Sequence, residues 1–365
     1  MDRANFELAR CLAERQTSQI HLVSHRIEEP LRSHPAVVPH LVPRPGGRHL
    51  FGSFLLSRAG RRVAHDLSDR QPYVIVNGGN CRWFDVNWVH YVNACCQNQS
   101  RGAPILFRIR NFFSRYRGVR AERGILRQSR LVIANSEKTR RDLIETMGVS
   151  FERIRRIYLG VDPTQFSPIT EAERNAVRGE LSIENNAQVI LFVGALGYDR
   201  NKGFDTLLAA VKQLKSKIAD PVHLLAIGGG KLAYWQKMIN AEGLAMNVRL
   251  LGSRKDVPRL MAAADVLSIP SRYDSYGLAA HEALCRGLPA VVSAMAGVAE
   301  RYTIELRDWV LPDPEDTNDL ARRLEFALTN RIRFQAALDR LGEQLRSWTW
   351  NDMAAEMIRV IETET

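Results

Sequence analysis

The second half of the chain alternates short, almost wholly apolar runs with amphipathic ones, and this alternation limits the possible folds more than any other feature. The apolar runs fall at 188–194 (QVILFVG), 222–227 (VHLLAI), 247–251 (NVRLL), 265–269 (DVLSI) and 289–293 (PAVVS). Helical patterns occupy 204–217, 231–242, 256–263 and 276–286 between them. Strands that are apolar on both faces and separated by amphipathic helices predict a parallel sheet covered on both sides.

The first half repeats the theme less cleanly. Strands are predicted at 19–24, 36–42, 73–77, 86–92 and 130–134, with helices near 4–14, 105–127 and 136–148. At 365 residues the chain suits two domains of about 150 to 180 residues each. The expectation is an α/β protein of two Rossmann-like, doubly wound parallel-sheet domains, joined near 158–170, where turn formers cluster. The boundaries are 1–162 and 163–347. A terminal segment, 348–365, carries Trp348 and Trp350 ahead of an amphipathic helix at 351–363.

Hydrophobic residues make up 45% of the chain and charged residues 25%, a balance that argues against large-scale disorder. No apolar run approaches the roughly 18 to 20 residues that span a bilayer. No secretory signal pattern is evident at the N-terminus. Five cysteines, odd in number and without metal-ligand spacing, fit a reduced, cytoplasmic setting.

The net charge of +11 is unevenly placed. Residues 1–180 hold 29 Lys and Arg against 17 Asp and Glu, and the remainder 22 against 23. Within 101–130 there are nine arginines and one acid, Glu122, interleaved with Phe107, Phe112, Phe113 and Tyr116. Three readings stand open: a face for anionic lipid, a solvated helix, or a nucleic-acid groove. The lipid surface ranks first. Nucleic acid ranks last, because no recognised nucleic-acid motif accompanies the charge.

Chemistry-bearing residues gather where predicted strands end. In PSRYDSYGLAAHEALCRGLP, at 270–289, Asp274 sits on a tight turn and Glu282 on the following helix. Helix amides suit phosphate and carboxylates accept protons from hydroxyls, so the segment suits a phosphorylated, polyhydroxylated ligand at the carboxyl end of a parallel sheet. Taken alone, the pair reads first as a helix N-cap and a surface glutamate; the Pro-Ser lead-in and the Gly-Leu-Pro exit turn the balance to the ligand. After strand 188–194, Gly194 leads into a loop with Arg200 and Lys202, and Gly203 opens a helix. Two cations beside a helix N-terminus suit a diphosphate leaving group; a solvated basic loop is the plainer alternative.

Weaker signals accompany these. Gly228-Gly-Gly230 fits close approach of a ligand or a tight strand-to-helix turn equally well. Ser253, Arg254 and Lys255 follow another strand, at the level where a nucleobase would stack. His90, on predicted strand 86–92, is either a ligand contact or a satisfied core histidine. Asn135-Ser136 reads as a helix cap. No Asp-x-Asp pair, Walker loop, zinc pattern or Gly-x-Ser-x-Gly elbow occurs.

Taken together, ANS at 134–136, YLGVD at 158–162, VGALGYDRNKGFD at 193–205, LLG at 250–252, AADV at 263–266 and the 270–289 segment resemble the retaining glycosyltransferases of family 4, often called group 1. The resemblance covers nearly the whole chain in order. It implies the GT-B fold, in which two Rossmann-like domains face a cleft, the first binding the acceptor and the second a nucleotide-diphosphate sugar. The implied catalytic residues are His90, Arg200, Lys202 and Asp274. The implied donor contacts are Gly194, Arg200, Lys202, Arg254, Asp274, Tyr276, Gly277, Leu278 and Glu282. No metal or other cofactor is implied, and the departing phosphate itself takes the acceptor proton. Relatives also return their last helix to the first domain.

Three departures matter. The first family acid is usually glutamate, here Asp274. The phosphate arginine normally follows the strand glycine directly, where this chain has Ala195, so Arg200 is the expected substitute. Family members open with a strand and a Gly-rich loop, whereas Met1–Asn5 reads as the opening of the first helix; the expectation is either a late start site or impaired activity.

The implied activity is sugar transfer, with retention, to a glycan or lipid-linked acceptor in cell-surface glycan or lipopolysaccharide-type biosynthesis. The implied location is the cytoplasm, peripheral on the inner face of the membrane. A non-catalytic nucleotide-sugar-binding relative and a nucleotide-sugar epimerase are the alternatives.

Overall fold

A computed structural model describes residues 3–44, 49–96 and 102–364. Met1, Asp2 and Arg101, which enter the expectations above, lie outside the described residues. The chain forms two compact units. One comprises 1–95, 110–160 and 348–365; the other comprises 96–109 and 161–347.

In the second unit all six strands are parallel: β7 (Gln188–Val193), β8 (Val222–Ile227), β9 (Val248–Gly252), β10 (Val266–Ile269), β11 (Ala290–Ser293) and β12 (Val310–Leu311). Their spatial order is β12-β11-β10-β7-β8-β9. Counting from β7 as the first, this is the 3-2-1-4-5-6 order of a doubly wound nucleotide-binding sheet. The direction of winding reverses between β7 and β10, which pair in parallel register through Ile190 with Val266 and Leu191 with Leu267. Strands β8, β10 and β11 are buried along their whole length, as runs apolar on both faces require. Helices α6 (Phe204–Lys215), α7 (Leu232–Ala241), α8 (Val257–Met261) and α9 (Leu278–Cys285) connect them. α5 (Glu171–Glu180) precedes this array; α10 (Thr317–Thr329) and α11 (Arg331–Arg346) complete the unit.

The first unit contains two parallel sheets instead of one. β1 (Ile20–Ser24) pairs with β2 (Val37–Leu41), while β3 (Ile75–Val76), β4 (Val86–Val89), β5 (Leu131–Ala134) and β6 (Ile154–Arg156) form a second sheet. Strand β4 ends at Val89, so His90 lies just beyond the strand on which it was expected. α1 (Arg3–Arg15) packs on α12 (Trp350–Thr363). α2 (His49–Asp66) has no counterpart among the predicted elements. α3 (Ile105–Leu126), whose residues up to Ile109 belong to the second unit, agrees with its prediction, whereas the helix expected at 136–148 divides into α4 (Glu137–Asp142) and a π-helical turn, Leu143–Met147.

The terminal helix is seated by several bonds within this unit. The Trp348 indole N–H donates to the Tyr158 carbonyl at 3.1 Å, and Thr349 and Asp352 form a reciprocal capping box. Gly160 lies so close to this start that a Cβ there would stand 2.4 Å from the Thr349 carbonyl oxygen.

Candidate active site

Ligands of doubly wound sheets bind outside the carboxyl ends of the strands where the winding reverses. Here that position belongs to the loops after β7 and β10, and both carry residues singled out from sequence.

The loop after β7 leaves the sheet gradually. Gly194 N–H donates to the Ile227 carbonyl and Leu196 N–H to the Gly229 carbonyl, each at 2.9 Å. The glycine triplet makes this extension possible: a Cβ on Gly228 would lie 1.8 Å from Gly194 O, and one on Gly230 would lie 2.3 Å from Leu196 O. Close backbone packing between neighbouring strand ends therefore accounts for these two glycines.

The two loops are laced together. The Arg272 N–H donates to the Asn201 carbonyl and the Asn201 side-chain amide donates to the Tyr273 carbonyl, both at 2.8 Å. The buried Arg272 guanidinium donates to both Asp205 carboxylate oxygens, at 2.8 and 3.0 Å, and also reaches the Arg200 carbonyl and Glu315. Bidentate arginine–carboxylate pairing is directional as well as strong. It holds the loop before α6 against the loop after β10. Gly203 is essential at the same junction, because its φ is +69° and a Cβ would overlap the Pro270 carbonyl.

This lacing brings Lys202 Nζ to 2.5 Å from Asp274 Oδ2. Asp274 is itself fixed through its backbone: its N–H donates to the Met295 carbonyl, and its carbonyl accepts from Gly297 N–H. Lys202 also passes over Gly194, with its Cγ 3.4 Å from where a Cβ on that glycine would be. Gly194, Lys202 and Asp274 thus form one constellation at the switch point.

Arg200 is oriented differently. It adopts φ +53°, in the left-handed region. Its Nη2 donates to the Tyr234 hydroxyl at 2.6 Å and its Nη1 lies 3.5 Å from Asp205. Arg254 follows β9, at the edge of the sheet, and pairs with Asp256 at 2.6 and 2.8 Å. Neither guanidinium is paired with the carboxylate of Asp274 in the way Lys202 is.

Tyr276, Gly277 and Leu278 lead into α9. Gly277 is the helix N-cap with φ +94°, and a Cβ there would stand 3.0 Å from Val298. Tyr276 is buried; its carbonyl accepts from Val298 N–H at 2.6 Å, and its hydroxyl shares a 2.7 Å hydrogen bond with His281 Nδ1. Burial, followed by the charge of Arg301, lowers the His281 pKa to about 3, so the ring is neutral. Glu282 is half-buried on α9, four positions after Leu278.

Arg272, Asn201, Asp205 and His281 were absent from the residues chosen by sequence. Arg272 had a legible signal, an arginine two positions before Asp274 in an otherwise small and aromatic loop. His281, on one short apolar helix, had none.

The first unit places His90 half-buried beside Trp88, with ring centroids 4.2 Å apart. On α3, Glu122 is buried and accepts from the Asn93 N–H and side-chain amide at 3.2 and 3.1 Å; burial raises its carboxyl pKa to about 7 against these bonds. Among the described residues, no group of three or more His, Cys, Asp or Glu side chains is arranged to hold a metal ion.

A doubly wound parallel sheet in one unit, in a chain with a second parallel-sheet unit, has the architecture of a GT-B glycosyltransferase. Residues 173–348 match the family described as glycosyl transferases group 1, and 1–165 match glycosyltransferase family 4. The chain belongs to this family.

A mannosylfructose-phosphate synthase from Agrobacterium fabrum is 28% identical over 253 residues, which are 66% of this chain and 54% of that protein. A D-inositol 3-phosphate glycosyltransferase from Jonesia denitrificans is 28% identical over 254 residues, 66% of this chain and 58% of that protein. The matches thus span little more than half the length of these relatives. Among solved structures, WaaG, a glycosyltransferase involved in lipopolysaccharide biosynthesis, superposes with a TM-score of 0.76 at 21% identity, covering 98% of this chain and 95% of that one. Anabaena HepE in complex with UDP-glucose gives 0.71 at 19% identity over 99% and 95%. At these identities the likeness shows the fold.

Proposed function

We propose that this glycosyltransferase takes its sugar from a nucleotide-diphosphate donor bound by the second unit and transfers it with retained configuration to an acceptor hydroxyl. The observation that carries this reading is the convergence of Lys202 and Asp274, from two different strand ends, at the winding reversal. Lys202 offers a cation to the departing diphosphate, aided by the N-terminus of α6. Asp274 accepts from sugar hydroxyls, and Glu282 from those of the ribose. When donor enters, Asp274 exchanges its bond to Lys202 for bonds to the sugar, and the lysine is released toward phosphate.

On this reading lysine and helix amides stabilise leaving-group charge without a bridging metal or resident cofactor. The departing phosphate removes the acceptor proton. His90 and the first unit serve the acceptor, a glycan or lipid-linked glycan of cell-surface or lipopolysaccharide-type biosynthesis. A solved relative of this fold binds UDP-glucose, which supports a nucleotide-sugar donor. The basic region 101–130 supports a peripheral position on an anionic membrane surface, at the cytoplasmic face.

A panel of nucleotide-sugar donors, titrated by calorimetry and assayed for donor consumption with and without acceptors, tests the reading. Saturable binding of one donor and acceptor-dependent turnover are expected. Binding without turnover would favour a non-catalytic role, and isomerised donor without acceptor would favour epimerisation. No binding by any donor would overturn the proposal.

A further inference from the structure

α3 exposes an unusual amount of apolar surface. Ile105, Leu106, Ile109, Phe112, Phe113 and Tyr116 are each between 50% and 78% exposed. Their spacing of i, i+1, i+4, i+7, i+8 and i+11 places all six along one side of a helix with 3.6 residues per turn. Contiguous large apolar side chains left in water mark an interaction surface.

The charges around this stripe are ordered. At helical spacing, Arg108 and Arg115 run along one edge and Arg110 and Arg117 along the other. No acid occurs on α3 before Glu122, and that carboxyl is buried. The side opposite the stripe is where the helix is held: the Phe107 ring meets Tyr198 edge-on, with centroids 5.3 Å apart. Farther along, Arg115 donates to the Ala94 carbonyl at 3.2 Å, and a Cβ on Gly118 would meet nothing within 4 Å.

An apolar stripe flanked on both edges by long cations matches the boundary between acyl chains and anionic headgroups. The rings enter the acyl region while arginine stems extend outward to phosphate. A nucleic-acid backbone would leave the aromatic centre of this face without a partner. At 22 residues with its many arginines, α3 is not apolar enough to cross a membrane.

We propose that residues 105–117 of α3 lie in the plane of an anionic bilayer, with the six-residue stripe inserted below the headgroups and the exposed Arg108 and Arg117, one on each edge, at headgroup level. This rests on the membrane-surface reading above and adds insertion to electrostatic attraction.

The full chain is tested with vesicles of phosphatidylcholine alone and of phosphatidylcholine mixed with phosphatidylglycerol. Sedimentation is measured at low and high salt, and insertion by fluorescence of a Phe113→Trp variant in vesicles containing brominated acyl chains, with the unsubstituted chain as background. The expected result is binding to the anionic vesicles that partly survives high salt, and added quenching of the new tryptophan. Phe112→Ser with Phe113→Ser should weaken that binding on the order of tenfold or more, while circular dichroism stays unchanged because both rings are exposed.

Binding that salt abolishes, that the serine pair leaves intact and that shows no added quenching would overturn insertion while the membrane-surface reading survives. No binding at any salt would remove that reading and the insertion with it.

Discussion

Lys202 Nζ and Asp274 Oδ2 lie 2.5 Å apart although 72 positions separate the residues in sequence. Each stands just beyond one of the two strands, β7 and β10, between which the winding reverses. The pair is part-buried, so its attraction is stronger than that of an exposed ion pair. On the proposed reading, this is the point where a donor's diphosphate and sugar meet.

Replacing Lys202 with alanine should therefore lower turnover more than donor affinity. A loss in kcat of about a hundredfold is the scale expected for one positioned group that stabilises developing charge. Steady-state kinetics beside calorimetric donor titration separates the two quantities. Equal losses in both would assign Lys202 to ground-state binding.

Glu282→Ala should weaken donor binding by about 1.5 to 3 kcal/mol, the range for hydrogen bonds to a charged group. Calorimetry with the preferred donor is the measurement, and unchanged affinity would remove Glu282 from the ribose site. Glu282 is half-buried on α9, and thermal unfolding of the variant checks that the fold is kept.

The Tyr276–His281 bond should act through the turn that carries Asp274. Tyr276→Phe and His281→Leu should each raise donor KM, and the double variant should lose little more than either alone, because both remove the same 2.7 Å hydrogen bond. Additive losses would show two independent roles. With its pKa near 3, His281 is neutral from pH 5 to 9, and its contribution should be flat across that range.

Much of the second unit was legible because each strand is an isolated apolar run. The predictions at 188–194, 222–227, 247–251, 265–269 and 289–293 each fall within two residues of an observed strand. β12 escaped because two residues, Val310 and Leu311, make no periodic pattern, and β6 because Ile154-Arg-Arg156 is short and charged. α2 escaped for another reason: its apolar residues crowd into the first half of HLFGSFLLSRAGRRVAHD, and no regular stripe runs its length. The site shows the same division. Lys202 and Asp274 were visible as residues, but the clamp that joins their loops, from Arg272 to Asp205 and Arg200, connects distant positions that local pattern does not relate.

Glu122 provides a pH-dependent test of the first unit. Burial raises its folded-state pKa to about 7 from an ordinary value of 4.5, so the native environment favours the protonated carboxyl. Below about pH 4.5 the group is neutral in both states and carries no penalty. As pH rises, the unfolded chain ionises first, and stability is lost progressively until about pH 7, where the folded carboxyl also ionises. Glu122→Gln keeps an oxygen that can accept from Asn93 and removes the charge. The variant should unfold at a temperature several degrees above the parent at pH 8, on the scale of about 4 to 8 °C per kcal/mol for a small domain and less for a larger one, and close to the parent at pH 4.5. Thermal unfolding of both chains across this range gives the difference directly. A gap that is constant with pH would show that Glu122 does not titrate differently in the folded state.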